Sequence, residues 1–100
     1  MSDKMIAYPQ NEGSITSTGA KQRLYRLKPP LTCAYKTVEY VIVSSLYRAF
    51  DTSLPETLIF EANKDGKVQD WGRPLIGSNR ISDSHEYALK NAGYEVVTKD

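Results

Sequence analysis

One hundred residues, 40% hydrophobic and 25% charged, suit one ordinary folded domain rather than two domains or a disordered chain. The formal net charge of +1 excludes a strongly basic or strongly acidic protein taken as a whole. No apolar run approaches the roughly 18 residues that a membrane span needs.

The small net charge hides an asymmetry. Residues 1–50 carry seven Lys/Arg against three Asp/Glu, and residues 51–100 carry six against nine. No acidic residue falls between Glu12 and Glu39, whereas Lys21, Arg23, Arg26, Lys28 and Lys36 all do. Either the basic segment lies against the acidic half, or it forms a face for an anionic partner. The opening MSDKMIAYPQNEGS lacks the apolar core of a secretory signal. The single cysteine, Cys33, permits no intramolecular disulfide, so a reducing, cytoplasmic setting is expected.

In chain order, residues 1–20 read as a flexible N-terminal arm, with at most a short strand at 4–8, and residues 21–100 as one α+β domain. Residues 22–28 form the first strand, stopped by Pro29-Pro30, neither of which can donate to a ladder. Residues 36–48 give the longest strand. Val38, Tyr40, Ile42, Ser44 and Leu46 make one face, and Glu39, Val41, Val43, Ser45 and Tyr47 the other. Both faces are partly apolar, which predicts a central strand covered by the helix on one side and by the arm or a partner on the other. Ser44-Ser45 marks a bulge or the strand's end, with a short helix over 45–50 as the competing reading. A strand at 57–61 follows Pro55. Asn63-Lys64-Asp65-Gly66 then reads as a type I turn with a glycine bulge, sending a returning strand along 67–71.

Residues 72–81 are a loop. Asp83 is placed to cap a helix, with Glu86 reaching back as in a capping box. His85, Ala88, Leu89 and Ala92 share one helical face, and Gly93 ends the helix. A last strand covers 94–97. The expected fold is therefore a small antiparallel sheet of four to five strands with one helix packed across it, in the order β-β-β-β-α-β.

Catalytic and metal chemistry find little support. One histidine and one cysteine cannot supply the usual zinc ligand sets, and no metal or cofactor is expected. Gly72-Arg-Pro-Leu-Ile-Gly77 matches neither phosphate-loop pattern. A Cys33–His85 pair would make a nucleophilic arrangement if the fold brought the two together, but Cys33 reads as a small buried apolar residue and His85 as a partly buried structural histidine. Asp65 and Asp70 fall in a turn and its strand, and Asp83 and Glu86 have a capping role. Those two carboxylates would also repel an anion at Gly77-Ser78-Asn79-Arg80.

Binding roles fit better. Lys21, Arg23, Tyr25, Arg26, Lys28, Tyr35 and Lys36 interleave cations with rings, as a single-stranded nucleic-acid site requires. Seven tyrosines and Trp71 favour a protein interface. Trp71, Arg73, Asn79, Arg80 and Tyr47 are its candidate residues, unless Trp71 closes the core over the helix. The half-apolar face of 36–48 could pair with a second copy as a homodimer. The run DWGRPLIGS…SDSHEYALKNAGYEV resembles small phage or mobile-element proteins in general character, which assigns no residue a role. The leading expectation is a non-enzymatic binding protein, a stoichiometric inhibitor or accessory subunit that docks on a larger protein. Single-stranded nucleic-acid binding is the alternative, and an enzyme using Cys33 or His85 comes third.

Overall fold

The computed structural model describes residues 5–17, 19–32, 36–46, 55–69 and 71–97. They form β1 (Ile6–Pro9), β2 (Ser14–Ile15), β3 (Lys21–Thr32), β4 (Thr37–Leu46), β5 (Glu56–Ala62), α1 (His85–Asn91) and β6 (Glu95–Val96). The sheet runs β5-β4-β3-β1-β6, with β2 also paired to β3. All pairings are antiparallel except that of β1 with β6. One helix packs on one face, the mixed α+β class the sequence predicts.

Residues read as a loose arm supply two strands. β1, which includes part of the expected short strand at 4–8, lies between β3 and β6, and its short alternation buries Ala7 and Pro9 on one face. β3 also continues through Pro29-Pro30, where a stop is expected. The ladder passes from Arg26↔Tyr40 to Leu31↔Val38, so residues 27–30 stand opposite Glu39 alone. This bulge leaves both prolines outside the regular ladder, where their missing N–H groups are not needed.

β4 is an interior strand between β5 and β3, and both its faces carry apolar side chains as expected. Val41, Val43 and Ser45 turn toward the helix, and Val41 and Val43 lie in its core with Tyr25, Leu27, Ile59, Ala88, Leu89 and Tyr94. The β4 face turned toward α1 is therefore not left for a second copy. Ser44 and Ser45 pair regularly with both neighbouring strands, so they mark no bulge, and β4 runs to Leu46, one residue past them. The alternative helix at 45–50 starts inside β4, and its remaining residues lie outside the described ones.

The opposite face carries a smaller cluster of Leu24, Ile42 and Ala62, flanked by Tyr40 and Val68. The chain's own turn at 63–66 covers it: Leu24 Cδ2 would lie 3.6 Å from a Cβ on Gly66. Asn63 Oδ1 accepts from the Asp65 and Lys67 amides, both at 3.0 Å, which closes the turn as predicted. The return is not a strand. It makes one bridge, Ala62↔Val68, and a Gln69 N–H bond to Glu61 O before leaving the ladder.

Residues 71–82 then run beside the free edge of β5. Leu75 N–H donates to Ile59 O, Ser78 Oγ accepts from Ile59 N–H, and Thr57 and Asn79 exchange two backbone bonds at 2.8 Å. An irregular segment thus closes an edge that would otherwise invite foreign strands. α1 begins one residue later than expected. Ser84, not Asp83, is the N-cap and its hydroxyl accepts from Tyr87 N–H, leaving Glu86 too early in the helix to complete a capping box. At the other end, Gly93 N–H bonds Lys90 O and Tyr94 N–H bonds Leu89 O, with Gly93 at φ 96. This is the Schellman closure expected of a glycine there. It turns Tyr94 into the core, where its hydroxyl donates to Pro29 O at 2.6 Å.

Candidate functional site

His85 sits in the first turn of α1, over the place where β3 and β4 pair Lys21 with Ser45. Its Nε2 lies 3.0 Å from both Lys21 O and Ser45 Oγ, and its Nδ1 lies 3.3 Å from Tyr25 Oη. A backbone carbonyl only accepts, so Nε2 carries the proton and Nδ1 accepts from the Tyr25 hydroxyl. Burial lowers the His85 pKa, opposed by the Lys21 carbonyl bond and aided by the Arg23 and Lys21 charges. Burial likewise raises that of Tyr25, opposed by Arg23. Both groups are neutral near pH 7.

The Ser45–His85 distance matches that of a nucleophile and its base, but the chemistry does not. A general base must present a lone pair to the hydroxyl, and here Nε2 presents a proton. Ser45 is also only 2% exposed, out of a substrate's reach. The triad of Tyr25, His85 and Ser45 ties helix to sheet. Cys33, the other half of the expected nucleophilic pair, lies outside the described residues, as do Tyr35 and Tyr47.

The basic segment divides between the two faces of the sheet because β3 alternates. Lys21, Arg23 and Tyr25 border a cleft of about 530 Å³ beside His85 and Glu86. There Arg23 Nε donates to Asn11 O at 2.6 Å, and its guanidinium carbon lies 5.9 Å from the Tyr25 ring centre. Tyr25 is 3% exposed and cannot stack on a base as expected. Arg26 and Lys28 point to the other face. Arg26 Nε pairs with Glu39 at 2.9 Å, and Lys36 pairs with Glu61.

Sequence reasoning missed what joins Arg26 there. Tyr8 pairs with Arg26 across β1 and β3, and Arg26 pairs with Tyr40 across β3 and β4. Directly paired residues project from the same face, so Tyr8, Arg26 and Tyr40 form one cross-strand row. No local signal could show this, because the register joins residues far apart in the chain.

Residues 71–81 present three exposed large apolar side chains. Trp71 is 57% exposed, Ile76 65% and Ile81 67%. Trp71 has one partner ring, Phe60, at 4.9 Å between centroids. Phe60 pairs with Ile42 on the face away from α1, so the indole does not close the core over the helix. Arg73 and Arg80 are exposed beside these side chains, and Arg80 Nε approaches Glu56 only to 3.8 Å. Asn79 bonds within the loop. Its Oδ1 accepts from the Ile81 and Ser82 amides, and its Nδ2 donates to Gly77 O, so the side chain shapes the loop from within. Ile76 and Ile81 were legible as apolar residues outside any periodic face.

Gly77 seats the loop. Its φ is +99, and a Cβ there would run into Ala88 O and crowd Ile59. The backbone is therefore pressed against helix and sheet while Ile76 points outward.

Among the described residues, no three His, Cys, Asp or Glu side chains gather as metal ligands, and no helix is long and apolar enough to cross a membrane. No protein-family model, curated protein or solved structure matches this chain.

Proposed function

We propose that the protein is a small non-enzymatic binding module that docks on a larger protein through residues 71–81. It acts as a stoichiometric inhibitor or accessory subunit, in the reducing cytoplasmic setting that a lone cysteine suits. One observation carries this reading: Trp71, Ile76 and Ile81 are each more than half exposed on a loop whose backbone is bonded to β5 and seated by Gly77.

A preformed loop loses little conformational freedom on binding, which removes a main cost of association. Each large apolar side chain contributes about 1.5–3 kcal/mol when it passes from water into a partner's pocket. Arg73 and Arg80 beside them suit a partner whose pocket has an acidic rim, since complementary rim charges speed encounter and fix orientation.

Affinity capture from the native cell tests the assignment, comparing the wild-type chain with an Ile76→Asp/Ile81→Asp variant. The wild type should retain a protein in stoichiometric amount and the variant should lose it. Both should melt alike, because the substituted side chains are exposed. Recovery of the same partner by the variant, or of no partner by the wild type, would sink the proposal.

A further inference from the structure

We propose that the sheet face opposite α1 binds single-stranded nucleic acid, with Tyr8 and Tyr40 as stacking rings and Arg26 and Lys28 as phosphate contacts. The register carries this. Arg26 stands between Tyr8 on β1 and Tyr40 on β4 in one cross-strand row, and Lys28 stands on the same β3 face two residues on. With strands about 4.8 Å apart, the two tyrosine backbones lie roughly 10 Å from each other across the arginine. Both rings are half-buried, Tyr40 against the Leu24, Ile42 and Ala62 cluster, and partly exposed rings spaced about a cation are what unpaired bases and their phosphates require.

Tyr8, Gln10, Arg26 and Lys28 line a hollow of about 260 Å³ on this face, and no carboxylate is among them. The Gln10 amide donates to Tyr8 O at 2.9 Å, which leaves its amide oxygen to accept from a base edge. Arg26 is held by Glu39, but through Nε only, and both side chains are about half exposed. An exposed pair of this kind is worth little, so a phosphate can compete for the guanidinium. The large exposed aliphatic side chains that would mark a protein interface lie elsewhere, at Ile15, Ile76 and Ile81. A flat sheet also offers nothing that enters a duplex groove, so single strands are the occupant.

Fluorescence anisotropy with labelled oligo(dT) and oligo(U), beside a duplex of matched length, tests this on the full chain. Single strands should bind at low salt and the duplex should bind at least about tenfold more weakly. Tyr8→Leu and Tyr40→Leu keep the apolar volume and remove the ring. Each should weaken binding about tenfold, near one lost stacking contact, whereas Tyr8→Phe should retain it. Arg26→Gln and Lys28→Gln should each lower the slope of log affinity against log salt by about 1. The Ile76→Asp/Ile81→Asp variant should bind oligonucleotide like the wild type. The assignment is overturned by absent binding at low salt, by equal binding of the duplex, or by Tyr→Leu variants of unchanged affinity. It is also overturned if loss follows the loop variant instead. Should a Tyr→Leu variant unfold, the salt slopes of the Arg26 and Lys28 variants decide alone.

Discussion

A neutral imidazole holds three segments of this chain together. His85 donates to Lys21 O through Nε2 and accepts from Tyr25 through Nδ1, so protonation would turn an acceptor into a donor facing a hydroxyl. Its pKa is lowered in the fold, chiefly by burial. On acidification the unfolded chain therefore takes up the proton first, near the ordinary histidine value of about 6.5. This contribution to stability is complete above that value and is lost as pH falls below it, until the folded histidine also protonates. Urea midpoints measured at about pH 7.5 and about pH 5.5 should differ in the wild type, and His85→Gln should flatten the dependence in that window. The groups facing the ring are Tyr25, Arg23, Lys21 and Asp83. A wild-type midpoint unchanged between these conditions would contradict the assigned tautomer. The role of His85 as a partly buried helix residue was legible from its spacing to Ala88, Leu89 and Ala92. Its partners were not, because Lys21, Tyr25 and Ser45 reach it only through the pairing of two distant strands.

The elements divide by whether local or distant chemistry decides them. The turn at Asn63 and the helix stop at Gly93 follow from side chains within a few residues, and both were readable. The strand through Pro29-Pro30 was not, since only a bulge against β4 makes the two prolines harmless. Nor was the inward face of β4, where Ser45 looks like an outward polar residue until His85 supplies its partner. The helix start separates two adjacent residues by experiment. Ser84→Ala should lower stability by about 1 kcal/mol, because Tyr87 N–H loses its acceptor. Asp83→Ala should cost only a few tenths, since it removes a charge near the helix dipole and no cap. Urea unfolding resolves the two, and a larger loss for Asp83→Ala would restore the capping box that the sequence suggested. Gly77→Ala is the harsher change. Positive φ and contact with Ala88 O together put its cost at about 2 kcal/mol or more, and the same variant should disturb the docking loop.

At the scale of the molecule, the fold distributes its apolar surface unequally, and that decides how copies of it should behave. The half-apolar face of β4 that suggested a homodimer lies under α1, with Val41 and Val43 fully buried. Its other face is covered in part by the turn at 63–66 and by Val68. Self-pairing through the helix-side face of β4 would therefore require unpacking the core beneath α1. Among the described residues, Trp71, Ile76 and Ile81 stay exposed on one loop at 71–81, and a net charge of +1 supplies almost no repulsion between copies. The purified chain should thus sediment as a monomer when dilute and associate as concentration rises, with Trp71, Ile76 and Ile81 as the contact. Analytical ultracentrifugation of the wild type beside Ile76→Asp/Ile81→Asp distinguishes the routes. Added carboxylates on the loop should return the protein to monomer at every concentration, because each copy would have to bury them unpaired. Association that persists in the variant would place the contact elsewhere, and the β6 edge would then be the surface to examine.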